Sequence, residues 1–356
     1  MAGRILILDD IATTRIILKA RLAAAAYRTV QADTGAEALR LLQQGGIDMA
    51  LICGSMAAPD ACKLCRRIKS LPGCTTLPVL MIGGAGAGQD RATKMAALMA
   101  GFDAVFDRIP DPDVMQAWFR NLLRRHAGDA ELESGAAGPG QGFAAPAPSA
   151  FVPPGQIALI ASDMAEGLLW RKALKPLLRD RIEVLNPARA LTDLDRMPAP
   201  DAVVLAEDPA APGMALRLLA ELRCRPATLR SSVILMLPPG RTGTEITALD
   251  YGVADLVDTG FDAEDLALRL RRELARKARA DTYRAALQDS LRLAVLDPLT
   301  GLHNRRFALD ELERISTQAA QDGSGFAVMM LDLDRLRELH ACRGHPTADA
   351  VLTEVA

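Results

Sequence analysis

Short apolar runs alternate with amphipathic stretches along the first part of the chain. Runs of strand length stand at residues 5–8, 29–32, 49–53, 78–82 and 104–106. Helical spacing follows each run, starting near residues 13, 35, 61, 91 and 112. This alternation of five strands with five helices predicts an α/β fold with a doubly wound parallel sheet. Ligands bind such sheets at the carboxyl ends of the strands.

The same plan of strands returns in the middle of the chain. Apolar runs at residues 157–160, 202–205, 233–237 and 255–257 repeat the pattern, and Pro200-Asp201 ahead of a strand echoes Ile47-Asp48. Residues 128–155, between the two patterns, are rich in glycine, alanine and proline and predict a flexible or extended linker. We therefore expect an internal duplication, with one domain at residues 1–127 and a second at residues 156–275.

A long helix is predicted at the end of the second domain. From residue 262 to about residue 296 the chain contains neither glycine nor proline. Its apolar stripe, broken by polar residues at 277–281, consists of Leu266, Leu270, Leu274, Tyr283, Leu287, Leu291 and Ala294. The stripe is equally compatible with packing on the helix's own domain and with pairing to another copy as a short coiled coil.

Length and composition describe the broad class of protein. A chain of 356 residues exceeds the size of one hydrophobic core, so two or three domains are expected. Half of the residues are hydrophobic, and 42 Lys and Arg balance 44 Asp and Glu, which is typical of a soluble globular protein and argues against nucleic-acid binding. The apolar runs stop well short of the roughly 18–20 residues of a membrane span, and the first residues lack a signal-peptide core. The sequence predicts a cytoplasmic protein.

Four of the six cysteines cluster near the middle of the first domain. Cys62-x-x-Cys65 resembles half of a zinc or redox motif, with Cys53 and Cys74 nearby. The motif falls in a predicted helix, and the surrounding sequence offers no histidine to complete a metal site. We therefore interpret these cysteines as small apolar core residues.

Two carboxylates follow the first predicted strand. Asp9-Asp10 lies at the ligand edge of the sheet and suits a hydrated Mg2+ held by few protein oxygens. The pattern resembles the receiver domain of bacterial response regulators, which has a flavodoxin-like fold. In that family the acid pair holds Mg2+, an Asp ending the third strand accepts a phosphoryl group, and a hydroxyl residue and a Lys complete the site. The matching positions here are Cys53, Gly83 and Arg108.

The substituted phosphoacceptor position decides what this resemblance implies. Cys53 offers no carboxylate oxygen that could attack phosphorus and bind the metal. We expect a degenerate receiver, in which Asp9 and Asp10 either still bind a cation or are two solvated carboxylates without their third ligand. A reactive, redox-sensing Cys53 thiol near the positive charge of Arg108 is a further hypothesis.

The second domain departs further from the receiver pattern. Ala161 and Ser162 stand near the position of the acid pair. Ala206 occupies the acceptor position with Glu207 beside it, and the lysine position falls at about Thr259. We expect a degenerate adaptor domain that presents surfaces for packing and dimerisation.

Two motifs near the end of the chain carry the clearest chemistry. Residues 297–306 read Asp-Pro-Leu-Thr-Gly-Leu-His-Asn-Arg-Arg, and an apolar run at 326–331, predicted as a strand, leads into Asp332-Leu333-Asp334. Carboxylates at the end of a buried strand suit Mg2+ bound to a nucleoside triphosphate. With the stretch from Gly344 to Asp349, these motifs resemble the GGDEF domain of diguanylate cyclases, an α+β fold of the nucleotidyl cyclase type. The domain order resembles PleD-type response regulators.

This resemblance implies an enzyme of the nucleotidyltransferase class. Diguanylate cyclases condense two GTP molecules into cyclic di-GMP, each GTP bound by one subunit of a homodimer with Mg2+ on its phosphates. By matching position, Asp332 and the Leu333 carbonyl would bind Mg2+, and Asp349 would accept hydrogen bonds from guanine. Because a 3'-hydroxyl attacks phosphorus directly, the protein would supply metal, positive charge and positioning.

Two substrate-binding positions differ from the family's pattern. Arg337 stands where the family has a Lys that stabilises the charged transition state, so the charge is kept while its geometry changes. His340 stands where the family reads guanine with an Asn, and Ala341 follows it in place of an Asp. Because an amide both donates and accepts hydrogen bonds, its loss predicts weaker selection of guanine.

The family's Gly-Gly-Asp/Glu-Glu-Phe hairpin, which carries the second metal carboxylate, would lie beyond Ala356. We therefore expect a fragment or truncated product that does not cyclise GTP, with a signalling helix at residues 276–296 and the first part of a GGDEF domain at 297–356. The resemblance also implies an upstream histidine kinase or another signalling protein as partner. The alternative function is a non-catalytic pseudo-receiver scaffold that mediates dimerisation or partner binding.

Overall fold

The computed structural model describes residues 3–53, 58–83, 91–136, 153–238 and 243–356. The chain divides into two compact units. One consists of residues 1–134 with 148–280, and the other of residues 135–147 with 281–356. The first unit contains both predicted sheets, and the second contains the two motifs near the end of the chain.

The first half of the larger unit is a five-stranded parallel sheet with strand order β2-β1-β3-β4-β5. The strands are β1 (Arg4–Leu8), β2 (Arg28–Ala32), β3 (Met49–Cys53), β4 (Val79–Ile82) and β5 (Ala104–Phe106). The helices are α1 (Ala12–Ala24), α2 (Gly35–Gln43), α3 (Ala58–Lys69), α4 (Arg91–Ala100) and α5 (Pro112–Ala136). The predicted doubly wound fold is confirmed.

Local sequence signals explain where these elements begin and why they are buried. Every residue of β3 is buried, as expected for a central strand covered by helices on both faces. Helix α2 is capped by Thr34, whose hydroxyl accepts the N–H of Glu37 at 3.3 Å and so satisfies a backbone donor that the helix itself leaves without a partner. The Glu37 carboxylate accepts the N–H of Asp33, the residue before the cap, at 3.2 Å.

The second half of the larger unit repeats the plan, with strand order β7-β6-β8-β9-β10. Its strands are β6 (Gln156–Ile160), β7 (Arg181–Val184), β8 (Ala202–Ala206), β9 (Ser232–Met236) and β10 (Asp255–Val257). Its helices are α6 (Met164–Leu174), α7 (Ala190–Leu194), α8 (Met214–Cys224), α9 (Thr244–Asp250) and α10 (Ala263–Val295). The strand prediction missed β7, because this edge strand alternates exposed and half-buried residues and has no apolar run.

Helix α5 of the first half packs against the second half. The Asn121 amide is fully buried and donates to the carbonyl oxygens of Leu249 at 2.8 Å and Val253 at 3.0 Å. Trp118 and Leu122 of α5 belong to the same apolar cluster as Leu249 of α9. The two receiver-like halves therefore share one apolar cluster, and each half has a further cluster of its own.

Helix α5 also corrects the predicted start of the linker. The sequence predicted that the helix ends at Arg125 and that residues 128–155 form a linker, but α5 continues to Ala136. Asp129, inside the predicted linker, forms an ion pair with Arg276 of α10 at 2.7 Å. This tertiary contact supports a helical stretch that glycine content alone argued against. Residues 137–152 lie outside the described residues.

The smaller unit contains α11 (Arg305–Asp322), α12 (Leu336–Arg343) and α13 (His345–Val355), with α12 packed on α13. The strand predicted at residues 326–331 is wrong: these residues form no ladder, and Met330 is 90% exposed. A strand needs a hydrogen-bonding neighbour, and residues 281–356 supply only an isolated bridge between Leu296 and His303. Within the described parts of the chain, the helices are too short or too polar to cross a bilayer.

Candidate functional site

The receiver-type site lies at the carboxyl edge of the first sheet. Strands β1, β3 and β4 are neighbours, with Leu8 paired to Ile52 and Cys53 paired to Ile82. Asp9, Cys53 and Gly83 therefore occupy the ends of three adjacent strands. The negative charge of the Asp9 carboxylate raises the pKa of the Cys53 thiol.

Asp9 is held in place by its own loop. The residue is 3% exposed, and its carboxylate accepts the N–H of Ile11 at 2.9 Å. The Arg15 guanidinium donates to the Asp9 carbonyl oxygen at 2.6 Å, which ties the loop to helix α1. Asp10, in contrast, is exposed to solvent. The loop thus fixes one carboxylate at the sheet edge and leaves its neighbour outside.

The Cys53 thiol is in an environment that disfavours its ionised form. Burial, and to a lesser extent the charge of Asp9, raise the pKa of Cys53 to about 12. Nucleophilic cysteines need the opposite environment, exposed and electropositive. The structure therefore argues against the redox-sensing hypothesis, since the charge that acts on the thiol is the Asp9 carboxylate.

The remaining two receiver positions offer little chemistry at this edge. Gly83 has φ of +77°, and its N–H donates to the Phe106 carbonyl oxygen at 2.8 Å. Arg108 lies beyond β5 and is exposed. The described residues hold no cluster of three or more His, Cys, Asp or Glu side chains placed to bind a metal.

In the second half, the acidic residue beside the acceptor position serves a structural purpose. Glu207 is 3% exposed, and its carboxylate accepts the N–H groups of Gly213 and Ala215, the latter at 3.2 Å. These donors lie at the start of α8, where a helix has backbone N–H groups to satisfy. Glu207 is therefore a helix cap.

The motif at residues 297–306 builds the turn that joins α10 to α11. The Asp297 carboxylate accepts from the N–H and hydroxyl of Thr300, both at 2.9 Å, and these bonds lower its pKa. Asn304 donates to the Ala294 carbonyl oxygen at 3.0 Å and accepts the N–H of Phe307 at 3.0 Å. Asp297 and Asn304 together explain why the motif needs these residue types at this spacing.

The predicted nucleotide-binding residues lie on consecutive elements of the smaller unit. Asp332 and Leu333 stand in the irregular segment before α12, with the Asp332 side chain exposed. Arg337 and His340 are residues of α12, and the half-buried Asp349 is a residue of α13. The packing of α12 on α13 brings the two helices together.

The charged residues between the two halves of the larger unit were not predicted from the sequence. Arg125 of α5 and Glu273 of α10 form a 2.5 Å ion pair. Burial alone would lower the pKa of Arg125, but Glu273 raises it above its ordinary value by charge and hydrogen bonding. In a single sequence, charges on helices are most often solvated, so no signal marked these two as partners.

Family models match two parts of the chain. The response regulator receiver domain matches residues 5–117, which contain the first sheet and its carboxyl edge. The diguanylate cyclase GGDEF domain matches residues 294–356, which contain the turn motif and Asp332 to Asp349. The matched ranges coincide with the two places where the structure positions the candidate residues.

Comparison with known proteins extends the match to the whole chain. Response regulator PleD of Caulobacter vibrioides is 29% identical over 358 residues, an alignment that covers all of this chain and 77% of PleD. The bifunctional diguanylate cyclase/cyclic di-GMP phosphodiesterase MucR of Pseudomonas aeruginosa is 41% identical over 63 residues, covering 18% of this chain and 9% of MucR.

Among solved structures, a putative response regulator from Chloroflexus aurantiacus is 27% identical with a TM-score of 0.32, and the match covers 35% of this chain and 99% of that one. The assignment rests on the two family models and on PleD, whose similarity runs through both receiver-like halves into the GGDEF segment. The chain is therefore similar along its whole length to the PleD-type response regulators of the diguanylate cyclase family.

Proposed function

We propose that the protein is a signalling diguanylate cyclase whose GGDEF domain binds GTP with Mg2+ and condenses two GTP molecules to cyclic di-GMP in a homodimer. The observation that carries the proposal is the similarity to PleD over the whole chain, together with the GGDEF match at residues 294–356. The reaction needs two nucleotides held head to tail, so each subunit would contribute one.

Three positions would bind Mg2+-GTP. Asp332 is exposed in an irregular segment and offers a hard oxygen ligand, and the Leu333 carbonyl is a second oxygen of the same kind, which together suit Mg2+. When bound, the metal would neutralise charge on the phosphates. Asp349 would accept hydrogen bonds from the guanine edge.

Two further positions act on the same nucleotide. Arg337 would supply positive charge to the phosphate groups, with a planar fork in place of a point charge. His340 would lie against the base in place of an amide. We propose that the protein distinguishes GTP from ATP less sharply than family members with Asn at this position do, because one base edge loses its matched partner.

The input domain would work without aspartyl phosphorylation. Cys53 stands at the acceptor position, and its raised pKa keeps the thiol protonated and therefore a poor metal ligand. The described residues of this edge fit a receiver-type Mg2+ site poorly, since none of them completes a cluster of three metal-binding side chains with Asp9 and Asp10. An upstream partner would therefore act on this domain by binding.

Nucleotide binding is the first test of the proposal. Titration of the 356-residue protein with GTP and Mg2+ should give saturable binding, and Asp332→Asn should weaken it about tenfold or more by removing a metal ligand. Asp334→Asn is the matched control, since Asp334 is also exposed and lies two residues away. Equal effects of the two substitutions, or GTP binding that does not depend on Mg2+, would contradict the proposal that Asp332 binds the metal.

Product formation tests the reaction itself. Protein carrying the in-frame sequence downstream of codon 356 should form cyclic di-GMP from GTP and Mg2+, and Asp332→Asn should abolish the product. A stop codon at that point, or GTP binding without product from the extended protein, would favour the non-catalytic scaffold.

The input is tested with a small-molecule phosphodonor. Incubation of the wild-type protein with such a donor and Mg2+ should leave residues 1–127 without a phosphoryl label, because Cys53 cannot form the acyl phosphate. Peptide mapping would locate any label. A phosphorylated aspartate in this range, whether Asp9, Asp10 or another, would overturn the assignment of a degenerate receiver.

A further inference from the structure

Helix α10 is held from two sides within the larger unit. Leu266 and Leu270 are buried in the core of the second receiver-like half, with Leu274 packed against it. Polar side chains of the same helix contact the first half: Glu264 pairs with Arg91 of α4 near the start of α10, and Arg272, Glu273 and Arg276 contact it further along. The helix that leads from this unit into the rest of the chain is thus bound by both halves.

The contacts with the first half extend over more than one turn of α10. The Arg272 guanidinium donates to the Phe102 carbonyl oxygen at 2.6 Å. Glu273 pairs with Arg125 at 2.5 Å. One turn later, Arg276 pairs with Asp129 at 2.7 Å and donates to the Arg125 carbonyl oxygen at 3.0 Å. We call these contacts of Arg272, Glu273 and Arg276 with the first half the α10 clamp.

Burial makes the central pair of the clamp sensitive to separation. The Glu273 side chain is 2% exposed and the Arg125 side chain 16% exposed. Moving the first half away would leave a buried carboxylate with a weaker partner, because Arg272 approaches it only to 4.0 Å. Intermediate positions of the first half should therefore be less stable than either the closed or the open clamp.

We propose that the first receiver-like half is a regulatory clamp on α10, and that opening of the clamp replaces aspartyl phosphorylation as the step by which the input acts on the output helix. The phosphoacceptor position is a buried cysteine, whereas direct contacts with α10 are extensive. A partner that binds the first half better in its released position would shift the equilibrium by its difference in affinity for the two positions. The clamp rests on contacts inside one unit and is independent of the proposed nucleotide chemistry.

Hydrogen exchange of the intact 356-residue protein tests the clamp. In Glu273→Gln, amides of α10 around residues 272–280 and amides of α5 should exchange about tenfold faster than in the wild type, while β8 and β9 remain unchanged. Arg125→Gln should give the same pattern. The double variant should exchange less fast than the two single effects combined would give, because both substitutions remove the Arg125–Glu273 pair, while Arg125→Gln also removes the bond to the Ala254 carbonyl oxygen.

Two further variants keep the test decisive. Glu221→Gln, an exposed position on α8, is the control and should leave α10 unchanged. Asp129→Asn removes the outer pair and should accelerate the same amides in a milder form, even if Glu273→Gln folds poorly. Unchanged α10 exchange in Arg125→Gln and Asp129→Asn would overturn the proposal. An equal acceleration in β8 and β9 would also overturn it, since the pairs would then support the whole fold.

Discussion

At the scale of single residues, the environment of each charged or ionisable group decides its role. Asp255 is 1% exposed and pairs with Arg269 at 2.7 Å, and the same guanidinium binds Asp265 at 2.9 Å. In the sequence these three residues look like ordinary helix and loop charges. Their burial makes them a closed polar network, in which each member depends on the others.

Arg269→Met tests this network. The substitution leaves Asp255 and Asp265 buried without their central cation, so the free energy of unfolding should fall by about 3–5 kcal/mol. Urea denaturation would measure the loss. Arg217→Met on α8, an exposed position, should stay within about 0.5 kcal/mol of the wild type. A loss below about 1 kcal/mol in Arg269→Met would show that Arg272, which also reaches Asp255, can replace Arg269.

The environment of Cys53 gives a second prediction. A thiol with a pKa of about 12 is protonated at pH 8 and should react slowly with a disulfide reagent. In the native protein the exposed Cys224 and Cys342 should react first, and the four buried cysteines only after denaturation. Mass mapping of the labelled peptides would identify them. Rapid labelling of Cys53 in the native protein would restore the redox hypothesis.

At the scale of elements, the sequence correctly predicted helices and strands that are stabilised by their own residues or by burial of an apolar run. The fully apolar β3 was predicted with its observed bounds. Residues 326–331 were predicted as a strand from their composition, yet a strand depends on a neighbour that composition does not reveal. For β7 the reverse holds, because pairing with β6 stabilises a sequence with weak apolar character. Helix α5 likewise extends through a contact with α10 that no local pattern encodes.

The turn between α10 and α11 shows what a motif match does not tell. Residues 297–306 predicted a resemblance to the GGDEF domain, but the physical role of each position became clear only from the hydrogen bonds of Asp297 and Asn304. Gly301 adopts φ of +71°, which a side chain would oppose. The motif is therefore a structural joint between two helices, separate from the predicted nucleotide-binding residues.

Asn304→Ala should weaken this joint. It removes the bond to Ala294 and the cap of α11, so the first turn of α11 should lose about 1 kcal/mol of local stability. Hydrogen exchange at the amides of residues 305–308 would report the change. Asp310→Ala, an exposed substitution in the same helix, is the matched control. Equal exchange in the two variants would show that packing alone fixes the turn.

At the scale of the whole molecule, the sequence predicted two receiver-like domains but did not predict that they pack against each other. Alternation and duplication are visible in one chain, since they are repeated locally. The interface of Asn121 with Leu249 and Val253 joins residues far apart in sequence, and only the fold brings them together. The same limit holds for the candidate site. Matching position by position predicted roles for Asp332 and Asp349, but it could not predict which side chains contact each other.

The shared core predicts that the two halves unfold together. Trp118 and Trp170 are the only tryptophans, and each lies buried in one half. Trp118→Phe leaves Trp170 as the fluorescent reporter of the second half, and Trp170→Phe leaves Trp118 as the reporter of the first half. Their urea midpoints should coincide after correction for the stability of each variant, as for a two-state unit. Separate midpoints would show that the halves are independent domains and that the interface contributes little.

Because α10 is unbroken, an insertion in it changes the direction in which the later side chains point around the helix axis. Its 33 residues contain no glycine or proline, so the helix has no built-in hinge. One residue inserted after residue 280 would rotate every later side chain by about 100° around the axis, whereas seven would return them to within roughly 20° of their starting direction. Insertion length, rather than side-chain identity, would then set the output of such variants, and activity plotted against it should rise and fall with the helical period.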